Sequence, residues 1–399
     1  MPNQTLFLTQ SAPPRPGAAA RRIQHLVQAA QKEGHEVHLI RGDRNYPGEE
    51  ITGVHLHKIP LQDVRRVVQS VDKKGGLFPL LKHRLGHLRQ LFPFVYLTDD
   101  GGPAYRKAAF DLADNLIQTK SINRVFSSFR PWSDHLVASR LKKKYPHLHW
   151  TADFRDLPVD TVRDRVWWPA LQTWWGRRII RHADEVWCVS EGQRAQLRGW
   201  HPNIKVVRNA LLKLPPEQPP VPTERFCIVY TGSVYPGLQT IAPLVKALQS
   251  LLRTGALASH ELLLQYRGKD HEQFTDWCRG LPAESLDIQP IIAPAASQKL
   301  QAEANLLLLL NWSAPGYYGI LTAKLWDYLA TGRQILALVN GPGDEELQDI
   351  IAGAAAGAVF RTEEQSMVEQ YLSTAVAEWK ALGYLDQSID REALRQHLP

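Results

Sequence analysis

Cysteine is nearly absent from this sequence, and its scarcity limits where the protein can work. The 399 residues include only Cys188, Cys227 and Cys278, which are far apart and follow no metal-ligand spacing. Three cysteines cannot all pair, and disulfide frameworks are typical of secreted proteins. Residues 1–14 also lack the basic segment and the cleavage site of a signal peptide, so they predict a first strand. These absences indicate a reducing, cytoplasmic setting.

Long hydrophobic runs are missing as well. No window reaches the roughly 18 apolar residues that a membrane span requires, so we expect a soluble protein or one bound at a membrane surface. The net charge of +7 favours acidic partners such as nucleotide diphosphates, anionic lipids or nucleic acid. Basic runs at 142–144 and 177–178 could contact the inner face of an anionic membrane, although such runs are also common on solvated helix faces.

The common metal-binding motifs are absent too. The sequence has no D-x-D, no H-E-x-x-H and no paired C-x-x-C, which supply the usual ligand sets for divalent ions. We therefore expect no metal and no bound cofactor. Any phosphate group that the protein binds would then be stabilised by backbone N–H groups, a helix dipole and cationic side chains. G-x-S-x-G is also missing, which leaves serine hydrolase chemistry without support.

The length and the proline distribution predict two domains. A chain of 399 residues with 44% hydrophobic residues can form two cores. Residues 211–224 contain five prolines and are the best boundary, because such a segment is stiff and extended. We predict an N-terminal domain at 1–212, a linker at 213–224 and a C-terminal domain at 225–382.

Strands alternate with helices at the start of both predicted domains. The first has strands at Thr5–Gln10 and Val37–Ile40 around a helix at Ala18–Glu33, and later a loop at 128–135, a helix at Leu136–Lys144 and a strand at His149–Phe154. The second begins with a strand at Phe226–Thr231 and a helix at Thr240–Thr254. This alternation predicts an α/β fold with parallel sheets, whose ligands bind at the carboxyl ends of the strands. Residues 45–110 are less informative, and we expect helices and loops around a cleft there.

The most informative stretch is 305–338. Asn305–Asn311 is an unbroken apolar run, which predicts a strand buried on both faces. The loop Trp312–Leu321 contains Pro315, Gly316 and Gly319, and glycine lets a backbone turn sharply or approach a ligand. A helix at Thr322–Thr331 and a second buried strand at Gln334–Val339 are predicted to follow.

Two charged residues on this helix, Lys324 and Asp327, are three positions apart and therefore lie on one face. A helix N-terminus favours phosphate, and a lysine in its first turn adds a full positive charge. The acidic residue one turn later could accept hydrogen bonds from ribose hydroxyls. The alternative interpretation is a surface ion pair on an ordinary amphipathic helix.

The run GILTAKLWDYLATGRQIL at 319–336 resembles the donor-binding signature of family 4 glycosyltransferases with the GT-B fold, usually written G-x-x-P-x-K-x-x-E-Y-x-A-x-G-x-P-I. The resemblance implies two Rossmann-like domains facing an interdomain cleft and a retaining, nucleotide-sugar-dependent reaction. It implies that Lys324 faces the diphosphate and Asp327 holds the ribose. The chain departs from the signature at Thr322 and Gln334, where proline is usual, and at Asp327, which is shorter than the usual glutamate. More typical members also have a second glutamate, near the donor sugar, at the position of Gly319.

Other segments extend the resemblance on the donor side. Y-T-G-S at 230–233 resembles a loop that faces the donor, and the first glycine loop of the family implies a similar place for Gly17. Because a basic residue usual after Y-T-G-S is missing, Arg267 or Lys269 could supply its charge. The predicted donor-binding residues are Gly17, Gly232, Ser233, Arg267, Gly268, Lys269, Gly319, Ile320, Leu321, Thr322, Lys324 and Asp327.

On the acceptor side, W-T-A-D-F-R-D-L at 150–157 resembles a D-F-R-D-P-W stretch in one branch of the family. Aligned in this way, Arg155 stands where better-known members have a histidine near the reacting sugar, and Asp156 keeps an aspartate. Arginine cannot act as a base near neutral pH, so an electrostatic role is expected. A structural ion pair is the alternative. We predict Arg155, Asp156 and Lys324 as catalytic residues, with Asp153, Arg130 and His135 on the acceptor side.

Residues 162–183 are rich in tryptophan and arginine. At helical spacing these tryptophans are typical of a helix packed into a core. The alternative is an interfacial surface, because tryptophan and arginine both suit the lipid headgroup region.

The resemblance thus implies a hexosyltransferase that moves a sugar from a nucleotide-diphosphate donor to a glycan or lipid-linked acceptor, as in cell-envelope or exopolysaccharide biosynthesis. It also implies that the final helices, at about 383–399, pack back on the first domain. One alternative is a nucleotide-sugar epimerase, which would require a carboxylate base beside the sugar. Another is a non-catalytic nucleotide-sugar or nucleic-acid binding protein, but the basic residues are spread over both domains and form no stripe with stacking aromatics.

Overall fold

The computed structural model describes residues 3–15, 17–43, 46, 48–61, 102–162, 166–211, 213–217, 221–386 and 389–398. The chain divides into two compact units. The N-terminal unit comprises 1–189, 194–208 and residue 399, and the C-terminal unit comprises 190–193 and 209–398. The change of unit after residue 208 comes shortly before the proline-rich segment.

The N-terminal unit is built on a seven-stranded sheet. Its strand order is β3-β2-β1-β4-β5-β6-β7, and all neighbouring pairs are parallel. The elements are β1 (Gln4–Leu8), α1 (Ala18–Lys32), β2 (Glu36–Asp43), β3 (His55–Pro60), α2 (Gly102–Lys120), β4 (Arg124–Phe129), α3 (Trp132–Lys144), β5 (His149–Phe154), α4 (Pro169–Ile180), β6 (Glu185–Cys188) and β7 (Ile204–Val206). Helix α5 (Glu191–Gln196) begins with residues of the C-terminal unit and ends with residues of the N-terminal unit. The order reverses between β1 and β4, which is where open α/β sheets bind ligands.

Alternation along the strands gives this sheet an apolar layer on each face. Leu6 and Leu8 of β1 face a large cluster that also contains residues of α2 and α3. Phe7 of β1 faces the other way and packs with Ile23 and Val27 of α1. Helices therefore cover both faces of the parallel sheet, as the sequence predicted.

The C-terminal unit contains a six-stranded parallel sheet in the order β10-β9-β8-β11-β12-β13. Its elements are β8 (Phe226–Thr231), α6 (Ala242–Arg253), β9 (Leu262–Arg267), α7 (His271–Trp277), β10 (Leu286–Gln289), α8 (Pro294–Glu303), β11 (Leu306–Trp312), α9 (Ala323–Leu329), β12 (Gln334–Asn340), α10 (Glu345–Gly353), β13 (Gly357–Arg361), α11 (Gln365–Leu382) and α12 (Arg391–Arg395). Here the order reverses between β8 and β11. Both sheets thus have a doubly wound topology.

The leucine run behaves as predicted. Every residue of β11 is buried. Leu308 packs into the cluster on one face of the sheet and Leu309 into the cluster on the other. The prediction of a strand buried on both faces is confirmed.

The chain end differs from the expectation. Leu394 of α12 is fully buried in the core of the C-terminal unit. The Asp390 N–H donates to the Ala354 carbonyl, and the Leu211 N–H donates to the His397 carbonyl. The last helix is therefore part of the C-terminal unit, whereas the resemblance implied packing on the first domain.

Two further differences concern the N-terminal unit. A strand, β3, occupies His55–Pro60, where helices and loops were expected; residues 62–101 of that stretch lie outside the described residues. Helix α3 begins at Trp132, four residues before its predicted start at Leu136. In the described part of the chain, no helix is both long and apolar enough to cross a bilayer.

Candidate functional site

Two glycines join the carboxyl ends of β8 and β9. Gly232 has a φ of +107°, which residues with a side chain rarely adopt. An added Cβ at Gly268 would lie 2.2 Å from the Gly232 carbonyl oxygen, closer than any real contact. Both positions therefore require glycine, and the two turns touch beside the point where the strand order reverses, between β8 and β11.

An aromatic stack supports these turns. The rings of Tyr230, Tyr266 and Phe274 are nearly parallel, with the last two centroids 4.4 Å apart. The Tyr266 hydroxyl donates to the Gly232 carbonyl at 2.9 Å, and the Tyr230 hydroxyl donates to the Ser233 carbonyl at 2.7 Å. Burial raises the pKa of Tyr266 to about 12, so its hydroxyl stays a donor.

Lys324 extends from α9 to the same turn. Its Nζ donates to the Tyr230 hydroxyl at 2.5 Å and to the Ser233 carbonyl at 3.2 Å, and it lies 4.2 Å from the centre of the Tyr230 ring. Burial lowers the pKa of Lys324 to about 7, although the nearby Asp270 carboxylate acts in the opposite direction. The site therefore holds a largely desolvated amine beside a glycine turn, and within the described residues this amine forms no ion pair.

The loop between β11 and α9 is organised by a residue that the sequence analysis missed. The Asp344 Oδ2 atom accepts from the backbone N–H groups of Gly319 at 2.9 Å and Ile320 at 3.3 Å, while Oδ1 accepts from the Leu347 N–H at 3.1 Å. Burial raises the pKa of Asp344. The only signal in the sequence is the acidic run after Gly343, which looks like an ordinary helix start.

A second missed residue, Glu346, lies beside Gly319. An added Cβ at Gly319 would be 2.6 Å from Glu346 Oε2. The same oxygen accepts from the Gly192 N–H at 3.1 Å, and Glu346 is buried. A carboxylate thus lies beside the loop at Gly319, and it comes from α10.

The other predicted donor-binding residues differ from one another in burial and in their contacts. Arg267 is buried, and its guanidinium donates to Asp287 Oδ2 at 2.5 Å and to the Asp287 carbonyl at 2.7 Å, so it fastens β9 to β10. Lys269 is exposed just beyond Gly268. Asp327 is half-buried, one helical turn from Lys324. Leu321 is buried in the core below the loop, and Thr322 is the N-cap residue of α9.

In the N-terminal unit, Asp153 holds the sheet to α1. Its carboxylate forms an ion pair with Arg22 at 2.6 Å, accepts from the Ser128 hydroxyl at 2.9 Å, and is fully buried. Arg22 also donates to the Val207 carbonyl at 2.9 Å. Asp153 therefore has a structural role here, and not the predicted acceptor contact, because its oxygens are already enclosed by these donors.

His135 is also buried, in contrast to its predicted place on the acceptor side. Its Nδ1 lies 2.7 Å from the Ser127 hydroxyl, and aromatic rings including Phe154 surround the imidazole. Burial lowers the pKa of His135 to about 3, so the ring is neutral. Because α3 begins earlier than predicted, this residue lies in its first turn, directed into the core.

The predicted catalytic residue Arg155 lies at the carboxyl end of β5. Its Nε donates to the Phe129 carbonyl at 2.9 Å, and its Nη2 lies 3.9 Å from Asp156. Burial lowers the pKa of Arg155, and the charges of Arg15 and Arg130 lower it further, whereas Asp156 raises it. The guanidinium groups of Arg15 and Arg130 thus lie within electrostatic reach of Arg155 at this edge of the sheet. Gly17, at the N-cap of α1 with a φ of +112°, is exposed.

The tryptophan-rich helix α4 turns most of its tryptophans outward. The exposed fractions are 54% for Trp167, 59% for Trp168, 52% for Trp174 and 37% for Trp175. The interpretation of these residues as core is therefore wrong.

The reason lies on the opposite face of α4. Its buried positions are Gln172, Gly176, Ile179 and Ile180. An added Cβ at Gly176 would lie 2.5 Å from the Trp200 ring and 2.9 Å from the Trp132 ring. Glycine lets α4 pack closely on these two core tryptophans, and no space remains for others.

Some basic side chains near this helix are already paired with carboxylates, whereas others are exposed. Lys142 donates to Asp184 at 2.9 Å, and Lys144 pairs with Asp114 at 2.6 Å. Arg177 and Arg178 are exposed on α4, and the Arg178 guanidinium lies 5.7 Å from the centre of the Trp174 ring.

Sequence comparisons find no matching family model and no matching curated protein. Solved structures match over the whole chain. Sucrose-phosphate synthase from Thermosynechococcus elongatus is 14% identical, with a TM-score of 0.60, and the match covers 100% of this chain and 95% of that one. A glycosyltransferase from Rickettsia africae is 12% identical, with a TM-score of 0.57 and coverages of 100% and 94%. A point mutant of S. aureus TarM, solved with Fondaparinux, alpha-GlcNAc-glycerol and UDP, is 8% identical, with a TM-score of 0.58 and coverages of 100% and 99%.

The chain has the GT-B fold. This likeness agrees with the two doubly wound parallel sheets, and the fold class predicted from the sequence is confirmed. Identities this low establish architecture alone, because one fold serves many activities.

Proposed function

We propose that this protein is a glycosyltransferase whose C-terminal unit binds a nucleotide-diphosphate sugar. The observation that carries the proposal is Lys324, a half-buried residue whose largely desolvated amine contacts the uncharged oxygens of Tyr230 and Ser233 beside the glycine turn. Burying an ammonium group is costly unless a negative partner compensates. A diphosphate is such a partner.

The surroundings of Lys324 suit a diphosphate. The backbone at Gly232 has no side chain, so a ligand can approach it closely. The site lies where the strand order reverses, between β8 and β11. We assign Lys324 to the phosphates, where a charge-assisted contact would stabilise the leaving group, and Asp327 to the ribose. Lys269 and the loop from Gly319 to Thr322 would contact the rest of the donor.

The names of the structurally similar proteins are consistent with this assignment. The solved structures that share the fold include proteins named as a sucrose-phosphate synthase and a glycosyltransferase, and one was solved with UDP. We propose a hexosyl transfer that retains the anomeric configuration, needs no catalytic metal and resembles that of family 4. The acceptor would be a glycan or a lipid-linked glycan of a cell-envelope or exopolysaccharide pathway.

We assign the acceptor side to the N-terminal unit. Arg155, Arg130 and Arg15 concentrate positive charge at the carboxyl edge of its sheet, with Asp156 as a nearby carboxylate. Guanidinium groups bind phosphates and carboxylates through paired N–H donors. This edge would orient an acceptor that carries an anionic group.

We further propose that α4 contacts an anionic membrane. Four exposed tryptophans project from it or its N-terminal end, and the segment 166–183 contains arginines but no acidic residue. Tryptophan prefers the headgroup region, and arginine adds attraction to anionic lipids. Such a contact would keep the enzyme near a lipid-linked acceptor.

One observation favours a second candidate, a nucleotide-sugar epimerase. That chemistry requires a carboxylate near the sugar, and Glu346 Oε2 lies beside Gly319. Glu346 is buried and already accepts from the Gly192 N–H, so we rank this function below glycosyl transfer. Formation of an epimerised sugar nucleotide without any acceptor would identify it.

The donor assignment is tested first by saturation-transfer NMR against UDP-, GDP-, ADP- and CMP-sugars. The best ligand is then measured by calorimetry with Lys324→Ala and with Lys246→Ala, which removes an exposed lysine of α6. We expect Lys324→Ala to weaken binding by about 2 kcal/mol, since a charge-assisted contact is lost, while Lys246→Ala binds normally. Equal affinity of folded Lys324→Ala and the unmodified protein would overturn the donor site.

A further inference from the structure

Three histidines and a glutamate lie together at the amino ends of β2 and β3, in the N-terminal unit. Glu36 and His38 are two residues apart on β2, and His55 and His57 are two residues apart on β3. Alternation along a strand places both members of each pair on one face. The parallel register sets His38 opposite His55, so the two pairs face the same side of the sheet as neighbours.

The side chains converge. Glu36 Oε1 lies 2.7 Å from His55 Nε2, and His38 Nδ1 lies 3.3 Å from His57 Nε2. One ligand atom each from Glu36, His38 and His55 can be chosen so that all three lie within 4.8 Å of one another. Ligand atoms around a tetrahedral zinc ion, bound at about 2.0–2.1 Å, are themselves about 3.3 Å apart. The His38 and His55 rings are stacked with their centroids 4.6 Å apart, so the imidazoles would rotate to point their nitrogens at a common ion.

A neighbouring side chain prepares one ligand. The Gln4 side-chain oxygen lies 3.0 Å from His38 Nε2, and its side-chain amide donates to Glu36. An amide oxygen can only accept, so the proton of His38 is on Nε2, and its Nδ1 carries a lone pair that faces His57 Nε2. A metal-bound histidine usually donates its other N–H to such an acceptor, which fixes the ring. Gln4 holds both side chains in the required orientation.

The burial of the cluster also suits a metal ligand. His38 is buried, His57 and Glu36 are half-buried, and His55 is exposed, so an ion could enter from the His55 side.

We propose that Glu36, His38 and His55, with His57 as a fourth ligand, bind one zinc ion. Imidazole nitrogen and carboxylate oxygen suit zinc, whereas magnesium and calcium prefer sets of oxygen ligands. The sequence analysis found no metal motif because the ligands come from two strands and have no motif spacing along the chain. The ion would join the edge strand β3 to β2.

This zinc would stabilise the unit and take no part in transfer. The cluster is at the amino ends of its strands, whereas Arg155 follows the carboxyl end of β5. The inference goes beyond the proposed function and does not depend on it.

The test uses the full chain, without a histidine tag, stripped with EDTA and passed into metal-free buffer. Zinc is titrated by calorimetry, and retained metal is counted by mass spectrometry for the unmodified protein, Glu36→Gln, His55→Gln and His149→Gln. His149 is the control, because it is an exposed histidine of the same unit beside one glutamate, Glu185, at 3.5 Å. Circular dichroism checks that each variant is folded.

We expect about one zinc per chain and a higher unfolding temperature with zinc, because the ion binds the folded state. His55→Gln and Glu36→Gln should each weaken zinc binding at least tenfold, since losing a ligand costs no less than losing a residue that orients one. His149→Gln should bind zinc normally. Stoichiometric zinc that leaves with EDTA while glycosyl transfer persists would support a structural ion.

The proposal fails if the unmodified protein retains no zinc, or if His149→Gln weakens binding as much as His55→Gln does. It also fails if His55→Gln is folded and binds zinc as tightly as the unmodified protein. None of these results would bear on nucleotide binding, so the donor site and the zinc site are tested independently.

Discussion

A Cβ atom at Gly232 would lie 2.6 Å from Cε of Lys324. The glycine and the lysine therefore occupy space that no larger residue could share, and the amine is held against the turn by Tyr230 and Ser233. The position of the Lys324 amine therefore depends on the conformation of the turn at Gly232.

The first prediction is that Gly232→Ala displaces Lys324 and weakens nucleotide-sugar binding at least tenfold, about 1.4 kcal/mol. The matched control is Gly237→Ala. Gly237 also has a positive φ, +82°, but nothing lies within 4 Å of its added Cβ. Both variants should lose stability through backbone strain, and only Gly232→Ala should lose affinity in calorimetry. Similar affinities in the two variants would contradict the conclusion that Gly232 positions Lys324.

The second prediction concerns pH. Burial lowers the pKa of Lys324 to about 7, from an ordinary value of 10.5, so the free protein holds a neutral amine at higher pH. A bound diphosphate would favour the ammonium form, and binding above pH 7 would therefore take up a proton. Affinity should fall by up to about tenfold per pH unit above pH 7, until the pKa in the complex is reached.

Calorimetry in buffers of different ionisation enthalpy measures this proton uptake directly. Lys324→Ala should show neither the uptake nor the pH dependence. The stability of the free protein should depend on pH in the opposite direction to the affinity. The cost of burying Lys324 is complete below pH 7 and is relieved as the pH rises toward 10.5, because the unfolded chain binds more protons in that range. Binding that is independent of pH between about 6 and 9 would contradict the assignment.

The elements that the sequence predicted well are those with a single strong signal. The apolar run of β11 could only be a strand buried on both faces, and β5 was predicted with its observed limits. The hydrophobicity of α4 does not predict its orientation, because the composition of a helix does not show which of its faces is buried. That choice depends on Trp132 and Trp200, which fill the space opposite Gly176.

The candidate site was predicted only in part, for a related reason. Lys324 and Gly232 belong to recognisable local motifs. Asp344, which holds the loop at Gly319, lies far along the chain and gives no signal until the sheet brings α10 close. His135 was expected in a loop, but an earlier helix start placed it in the core.

The third prediction concerns the buried ion pair of the N-terminal unit. Asp153→Ala leaves Arg22 as an uncompensated buried charge, so the free energy of unfolding should fall by about 3–5 kcal/mol in urea denaturation. Asp111→Ala is the control, because it breaks an exposed pair with Lys107 one turn away on α2. That change should be within about 0.5 kcal/mol. A comparable effect of the two substitutions would mean that Asp153 is not the structural anchor described above.

The fourth prediction concerns the exposed face of α4. The double variant Trp167→Ser/Trp174→Ser should lose most of its sedimentation with anionic phosphatidylglycerol vesicles, because interfacial tryptophans are removed. Met367→Ser, at an exposed apolar position of α11, should bind like the unmodified protein. Phosphatidylcholine vesicles should bind weakly, since the arginines then lack a partner. If the unmodified protein does not sediment with anionic vesicles, the proposed membrane contact is excluded.

The last prediction concerns Arg155. Its Nε donates to the Phe129 carbonyl, which leaves part of the guanidinium for a ligand at the carboxyl edge of the sheet. Lysine keeps the charge but loses the planar set of donors. Arg155→Lys should therefore retain partial transfer activity and Arg155→Ala little. Both should bind the donor normally, because the predicted phosphate and ribose contacts, Lys324 and Asp327, belong to the other unit.

Nucleotide affinity and thermal unfolding of the two variants separate a role in the reaction from a role in folding. If Arg155→Ala unfolds the N-terminal unit while Arg155→Lys is fully active, the residue is a structural clamp on the Phe129 carbonyl. In that case its neighbours Arg130 and Arg15 would be the remaining cations at this edge that could orient an anionic acceptor.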